Sequence, residues 1–481
     1  MAVFDKKNII KKSENFSEWY TNVILKSELA DYAPVKGCMV IRPYGFALWE
    51  SIQSFLDKLI KEKGVKNAYF PIFIPEKFLQ LEKEHVKGFA PNLAVVTIAG
   101  GEELKEKLIV RPTSETVMYA MYKKWTQSWR DLPILINQWN NVVRWEKRTY
   151  LFIRTSEFLW QEGHCVHTTH KENLEMVNWA LGAYEKTYND LMALYGIPGV
   201  KSEAEKFPGG NQTLSYEILM PDGKALQSCT SHDLGQNFAK AFDWTVLDKN
   251  GQKLYPWQNS WGLSTRSIGG LVMAHGDDQG LVLPPAIAPV QIVIVPITQN
   301  PAIMKFCADL QKDLKMENLR VEVDVREEKS AGWKFNEWEL KGVPIRLEIG
   351  SKEIDSGELT VFRRDEKSKS KIPPPAGGLN VKKIIKDLLE EIQINMFKRH
   401  KKFTEENTHD VSSYNEFKEI METKRGFIRA FWCEGPDCER KIKEETKAST
   451  RVLPQGAKEE KGTCIYCQKP ASNRWFFAQA Y

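Results

Sequence analysis

Residues 141–164 read NVVRWEKRTYLFIRTSEFLWQEGH. The β-branched and aromatic residues up to Val-Arg-Trp-Glu at 143–146 read as a strand end, a charged turn follows, and FLWQEGH at 158–164 reads as a second strand. The gap is too short for a crossover helix, so the two strands are expected to pair antiparallel. Arg144 stands before the turn and Arg154-Thr155 after it. A pair of arginines on a strand-loop-strand suits bidentate binding of phosphate or carboxylate oxygens, whereas surface arginines are usually solvated.

The flanking sequence extends the pattern. Leu48, Ile52, Phe55, Leu56, Leu59 and Ile60 recur at the helical period, with Gly64 where a C-terminal cap belongs. NAYFPIFIP at 67–75 is aromatic and β-branched, and Pro71 inside it points to an edge strand or a special contact. RPTSETV at 111–117 sets Thr113 and Glu115 before a helix carrying Met118, Met121, Tyr122, Trp125 and Trp129, and by itself this is an N-terminal capping cluster. ILINQW at 134–139, NVVRWE at 141–146, SYEIL at 215–219 and FDWTVLD at 242–248 read as strands. Strands without regular crossover helices predict an α+β domain, an antiparallel sheet with helices packed on it. LQSCTSHDLG at 226–235 gathers hydroxyl residues and His232, and WGLSTRSIGGL at 261–271 joins a strand to a helix with Arg266 at the junction. Neither a Walker loop nor a strand-linked G-x-G-x-x-G is present.

A chain of 481 residues predicts two to four domains. The three prolines of LVLPPAIAPV at 281–290 suit a stiff linker, with a boundary near 286. Beyond it, apolar runs near 291–297, 320–325, 344–349 and 359–363 alternate with helical patterns and predict a small α/β domain with a largely parallel sheet. KSKSKIPPPAGG at 367–378 reads as a flexible loop before a helix. The expected division is 1–285, 286–395 and 396–481.

Composition, 42% hydrophobic and 27% charged, is that of an ordinary folded protein. The longest strongly apolar run, VQIVIVPI at 290–297, is far too short to span a bilayer, and the N-terminus lacks an apolar signal core, so a cytoplasmic address with no membrane partner is expected. A net charge of +5 is unlike that of a protein that coats DNA. Cys433, Cys438, Cys464 and Cys467 form a Cys-x4-Cys and Cys-x2-Cys pair that suits a closed, structural Zn²⁺ site, with free thiols or disulfides as the alternative.

Taken in order, FPIFIP, V-R-W-E, RTSEFLWQEGH and WGLSTRSIGGL resemble the three motifs of class II aminoacyl-tRNA synthetases. The intervening T-S-E and Q-S-C-T-S-H-D-L-G resemble the prolyl-tRNA synthetases of archaeal and eukaryotic-like form, which carry a C-terminal zinc-binding domain. The resemblance covers nearly the whole chain and is densest over 67–280. It implies a class II antiparallel catalytic domain, an α/β anticodon-binding domain and a small zinc-binding α+β domain. It further implies a homodimer that activates L-proline with ATP and Mg²⁺ and passes it to tRNA(Pro).

Residue by residue, the resemblance gives Arg144 to both the amino-acid carboxylate and the α-phosphate of ATP. It gives Arg266 to the adenine and the phosphate tail, and Arg154, Thr155, Gln227, Thr230 and Ser264 to the nucleotide pocket. Thr113 and Glu115 would take the secondary ammonium of proline, and Trp160, Glu162, Phe207 and His232 would enclose its ring. Ser228-Cys229 and Cys165 depart slightly from the small residues expected there. A threonine enzyme would want zinc in its catalytic domain, and a non-catalytic relative should have lost an active-site arginine; neither fits. Only 94 residues separate His164 from Gln258, which leaves no room for an editing insertion. The run 361–386, with eight Lys/Arg against two acids, is expected to contact tRNA phosphates.

Overall fold

In the computed structural model, which describes residues 9–81, 93–373 and 381–481, the quoted stretch folds back on itself. Ile134–Val143 pairs antiparallel with Glu157–His167, from Ile134 opposite Val166 to Val143 opposite Glu157. The two strands expected at 134–139 and 141–146 are one strand that stops at Val143. Asn140 and Asn141 do not break it, because their amides donate across the ladder to Glu162 and Glu157 rather than competing for their own backbone.

This hairpin lies in an eleven-stranded sheet. Its strands are β1 (Lys66–Asn67), β2 (Ile134–Val143), β3 (Glu157–His167), β4 (Ile197–Val200), β5 (Gln212–Leu219) and β6 (Ala225–Gly235). They continue with β7 (Trp257–Ser264), β8 (Thr408–Asp410), β9 (Phe427–Trp432), β10 (Ala448–Pro454) and β11 (Asn473–Gln479). The spatial order is β8-β9-β11-β10-β4-β5-β6-β7-β3-β2-β1, antiparallel except for the outermost pair at each end. Helices α1 (Phe16–Lys26), α2 (Pro43–Glu62), α3 (Glu115–Trp125), α4 (His170–Lys186) and α5 (Arg266–His275) pack against it. The apolar stripe of α2 is buried at Leu48, Ile52, Leu56 and Ile60, with Gly64 in the left-handed region just past its end. α4 opens on a reciprocal Thr169–Glu172 capping box and buries Met176, Val177, Ala180, Leu181 and Tyr184.

α3 buries Val117, Met118, Tyr119 and Tyr122 against Phe70, Phe238 and Trp244. Trp129 does not belong to it: the helix ends at Trp125, and Ser128 caps a separate 3₁₀ turn. Of FDWTVLD only Val246–Leu247 is a strand. The run 67–75 is not one strand: Asn67 ends β1, 68–72 with Pro71 are in no strand, and Phe73–Pro75 is an edge strand of a separate three-stranded sheet.

Beyond the prolyl segment, Val321–Val323, Ile292–Pro296 and Ile345–Ile349 run parallel, but Leu359–Arg363 and Ser368–Ile372 add antiparallel. This five-stranded sheet is therefore mixed, not largely parallel: its last strand enters from a short turn, which permits only antiparallel pairing. Ser368–Ile372 lies in the run expected to be a loop, while 374–380 fall outside the described residues. α6 (Val381–Glu406) buries Ile385, Leu389, Ile392 and Met396 in this second core and continues unbroken through 395–396 to His400 and Thr404.

The third region does not stand apart. β10 pairs with β4 through Leu453–Val200 and Pro454–Gly199, so the last strands extend the first sheet. Gly199 is required at that seam: a Cβ would fall 2.3 Å from the Leu453 carbonyl oxygen. Beside it, fully buried Glu217 accepts Arg451 Nε and Nη2 at 2.9 and 2.7 Å, and Lys201 Nζ at 3.3 Å.

Candidate active site

Period-two alternation along β3 puts Phe158, Trp160, Glu162 and His164 on one face. The register sets Ser264 opposite Trp160, Gly262 opposite Glu162 and Ser260 opposite His164. Thr230 and His232 of β6 stand next to Gly262 and Ser260, and Thr213 of β5 next to His232. These residues floor a cavity of about 240 Å³. The opposite face is core, where Gly163 lets the Trp261 ring cross directly over the strand: a Cβ would come within 2.1 Å of it.

Thr113, Glu115, Arg144, Trp160, Glu162, Phe207, Gln227, Thr230, His232, Ser264 and Arg266 all line the cavity, as do Ser228 and Cys229. Arg154 and Thr155 do not belong to that lining. The Thr155 hydroxyl donates to the Glu157 carbonyl, and Arg154 Nη2 approaches the Tyr481 carbonyl at 3.5 Å. Cys165 lies in the core, where burial pushes its thiol up to about 12.

Arg144 donates through Nε to the Pro112 carbonyl at 3.0 Å and packs over Trp160 and Phe158. Burial lowers its pKa to about 10; the carboxylates of Glu115 and Glu162 oppose this, and the charge of Arg266 adds to it. Arg266 opens α5, its Nε on the Ile153 carbonyl at 3.0 Å and Nη1 on the Gln227 carbonyl at 3.3 Å. Two guanidinium groups held by carbonyls at one cavity, one of them at a helix N-terminus, form a site for anions.

Glu115 opens α3 and accepts a hydrogen bond from the Thr113 hydroxyl. Behind it, both oxygens of Glu162 are saturated by Ser114 N–H and Oγ, Gln138, Asn140 and His164. Burial resists ionisation of Glu162, but the His164 and Ser114 contacts outweigh it and hold the carboxyl below its usual range. His164 is likewise opposed by burial and raised by Glu115 and Glu162. Through Ser114, Glu162 ties down the segment that carries Thr113 and Glu115.

Thr213 Oγ1 accepts the Phe207 N–H and shares a hydrogen bond of 2.9 Å with His232 Nδ1, which fixes the imidazole plane. Phe207 and His232 pack ring to ring at 4.4 Å. Among the described residues Trp160 Nε1, His164 Nδ1 and Ser260 Oγ are buried at this wall without a hydrogen-bond partner. His164, Ser114 and Ser260 were not among the residues picked from sequence. The i, i+2, i+4 spacing of Trp160, Glu162 and His164 carried the signal for His164.

Far along the chain, Cys433, Cys438, Cys464 and Cys467 converge with all four sulfurs within 4.8 Å of one another. Cys433 Sγ lies 3.7 Å from Cys438 Sγ and 3.6 Å from Cys467 Sγ, near the ~3.8 Å edge of a tetrahedral zinc-thiolate site with ~2.3 Å bonds. The Lys469 backbone N–H draws the Cys467 thiol down to about 7, whereas burial pushes the Cys433 and Cys438 thiols up, so the sulfur geometry is what points to a metal.

The basic run 361–386 is largely neutralised. Arg363 pairs with Asp365 and Glu391, Arg364 and Lys367 with Asp277, Lys369 with Glu348, Lys371 with Glu358 and Lys386 with Glu317.

Three family models match successive parts of the chain: a class II tRNA synthetase core domain (G, H, P, S and T) at residues 96–275, an anticodon binding domain at 291–376, and a prolyl-tRNA synthetase C-terminal domain at 414–481. The chain is 52% identical over 480 residues to the proline–tRNA ligase of Natranaerobius thermophilus, covering 99% of this chain and 98% of the relative. It is 50% identical over 476 residues to proline–tRNA ligase 2 of Clostridioides difficile, with 99% and 98% covered. To the proline–tRNA ligase of Alkaliphilus oremlandii it is 49% identical over 467 residues, with 97% and 96% covered. With a class II core built around this cavity and full-length relatives at half identity, the chain belongs to the prolyl-tRNA synthetases, the class II proline–tRNA ligases.

Proposed function

We propose that this cavity condenses L-proline with ATP and then passes the prolyl group to tRNA(Pro). The observation that carries the assignment of roles is the convergence of Thr113, Glu115, Arg144 and Arg266 on one cavity. Glu115 and Thr113 take the two N–H donors of the secondary ammonium, while Trp160, Phe207 and His232 enclose the ring. Glu162 acts from behind, since its oxygens are already occupied. Arg144 interacts with both Glu115 and Arg266, which supports a role in holding the proline carboxylate against the α-phosphate of the Mg²⁺–ATP substrate. A carboxylate oxygen attacks the α-phosphorus, pyrophosphate leaves, and the charge is spread onto Arg144 and Arg266. In the second step a ribose hydroxyl of the tRNA 3′ end attacks the acyl carbon and AMP departs. Gln227, Thr230 and Ser264 line the nucleotide end, and Arg154, whose charge reaches Arg266, flanks it.

The division 1–285, 286–395 and 396–481 then separates activation, anticodon binding and a zinc-stabilised region, although α6 and the shared sheet join all three. The four thiolates would hold structural Zn²⁺, which supplies no chemistry to the reaction. A homodimer is supported by apolar side chains exposed on the 30–41 hairpin and the three-stranded sheet, among them Tyr32, Val40, Phe73, Val95 and Ile98. Use of ATP, proline and tRNA supports a cytoplasmic location. No described helix is long and apolar enough to cross a membrane.

The test is Arg144→Ala. Loss of a charged contact made to both reactants should cost about 3 kcal/mol, or about 100-fold in proline-dependent ATP–pyrophosphate exchange, with the fold retained. Exchange within threefold of wild type would defeat the assignment.

A further inference from the structure

The second region is gripped by the first at several points. Arg364, fully buried at the end of Leu359–Arg363, spends Nε on the Glu339 carbonyl at 2.8 Å within its own region. Its other two nitrogens cross to Asp277, at 2.8 and 2.6 Å, in a bidentate fork. Asp277 follows α5 and is itself pinned: its carbonyl accepts the Trp19 indole N–H at 2.9 Å, and it closes a tight turn with Gly280. Burial works against the Asp277 carboxylate, yet Arg364 draws its pKa down to about 2.

The prolyl segment between the two regions is clamped as well. Arg320 donates to the carbonyls of Pro285, Ala286 and Ala288. On α6, Gln393 accepts the Ala286 N–H and donates to the Asp190 carbonyl. One turn or two further on, His400 accepts the Tyr195 N–H through Nδ1 and faces the Leu219 carbonyl through Nε2 at 3.2 Å. Each contact fixes direction as well as distance.

An ion pair whose arginine is buried and whose carboxylate is partly exposed gains little stability, because desolvation of the arginine consumes much of the attraction, but the bidentate fork fixes its geometry. A tether alone would need no such fork. We infer that Arg364 is a positioning residue for the transfer step: its fork on Asp277 holds the anticodon-binding region at one fixed angle to the catalytic cavity, so that a tRNA gripped at its anticodon delivers its 3′ end to the adenylate. Adenylate formation, which needs no tRNA, is independent of the fork. This rests on the proposed use of the cavity for activation.

The experiment compares Arg364→Gln and Asp277→Asn in the full-length protein. Proline-dependent ATP–pyrophosphate exchange should stay within twofold of wild type. Aminoacylation should lose at least tenfold in kcat with the KM for tRNA within twofold, because the anticodon contacts survive while delivery is misaligned. The double variant should lose no more than either single variant, and Arg364→Lys, which keeps charge without the fork, should fall between. Unchanged aminoacylation would overturn the inference, and so would a parallel fall in both assays, which would mark a lesion of the fold. Should Arg364→Gln fail to fold, Gln393→Ala loosens the same junction from its more exposed side and must show the same split. Absence of exchange in the wild-type protein would instead refute the reading of the cavity.

Discussion

Replacing Glu217 by Gln should open the seam between β4 and β10. Glu217 is the single anion between two buried cations, Arg451 and Lys201. Burial alone would raise its pKa, but Arg451 and Lys201 overcome it and hold it at about 2. Against an unfolded carboxyl near 4.5, that depression corresponds to about 3 kcal/mol favouring the charged form. The same burial works against Lys201, whose pKa is lowered despite Glu217, so the triad gains less by forming than it loses by being broken. Removing the carboxylate charge leaves two cations facing each other without water, a change that typically costs 3–5 kcal/mol.

The assay is hydrogen exchange of the 448–453 amides, which reports local opening without requiring the whole chain to unfold in two states. A loss of about 3 kcal/mol predicts exchange faster by roughly 100-fold or more in Glu217→Gln. The sign in pH follows from a depressed carboxyl. In the wild type the contribution is complete above about pH 4.5 and disappears as pH falls through about 2, whereas the variant should show no such acid step. Acceleration below fivefold at neutral pH would refute the reasoning.

Purified protein should contain one equivalent of zinc per chain, and metal analysis of a Cys433→Ser, Cys464→Ser double variant should show it lost; full retention would place the metal elsewhere. Sedimentation at micromolar protein should give a dimer of the 55.4 kDa chain, and a monomer would contradict the partner surface proposed for the exposed apolar side chains. Alanine lacks only a methylene or two of contact, worth roughly 1–3 kcal/mol, so some misactivation is expected. Residues 168–256 are occupied by α4, β4, β5, β6 and the connections between them, so preformed alanyl-tRNA bearing the proline anticodon should not be hydrolysed above its spontaneous rate.

Much of the site could be read from the chain because its parts are local. Trp160 and Glu162 are two apart on one strand, Thr113 and Glu115 open one helix, and Arg266 opens another. Features that depend on long-range pairing could not be read this way. The contact of Arg154 with Tyr481, for example, joins residues 327 positions apart. The lysines of 361–386 looked like a free patch because their partners Asp277, Glu317, Glu348 and Glu358 are brought to them only by the fold. Likewise the cysteine spacing indicated a metal site but gave no hint that the region carrying it extends the first sheet, since β10 meets β4 only through tertiary structure.

That late pairing has a consequence during synthesis. Leu453 is made 253 residues after its ladder partner Val200, so at ~5–20 residues per second the outer edge of β4 stands open for roughly 10 to 50 s on the ribosome. An open strand edge invites pairing with another nascent chain. β4 is only four residues, Ile-Pro-Gly-Val, and Pro198 offers no N–H to a stray strand while Gly199 gives it no side chain to hold. The same Gly199 that later admits the Leu453 carbonyl therefore helps keep the unfinished protein from aggregating while its proper partner is still being translated.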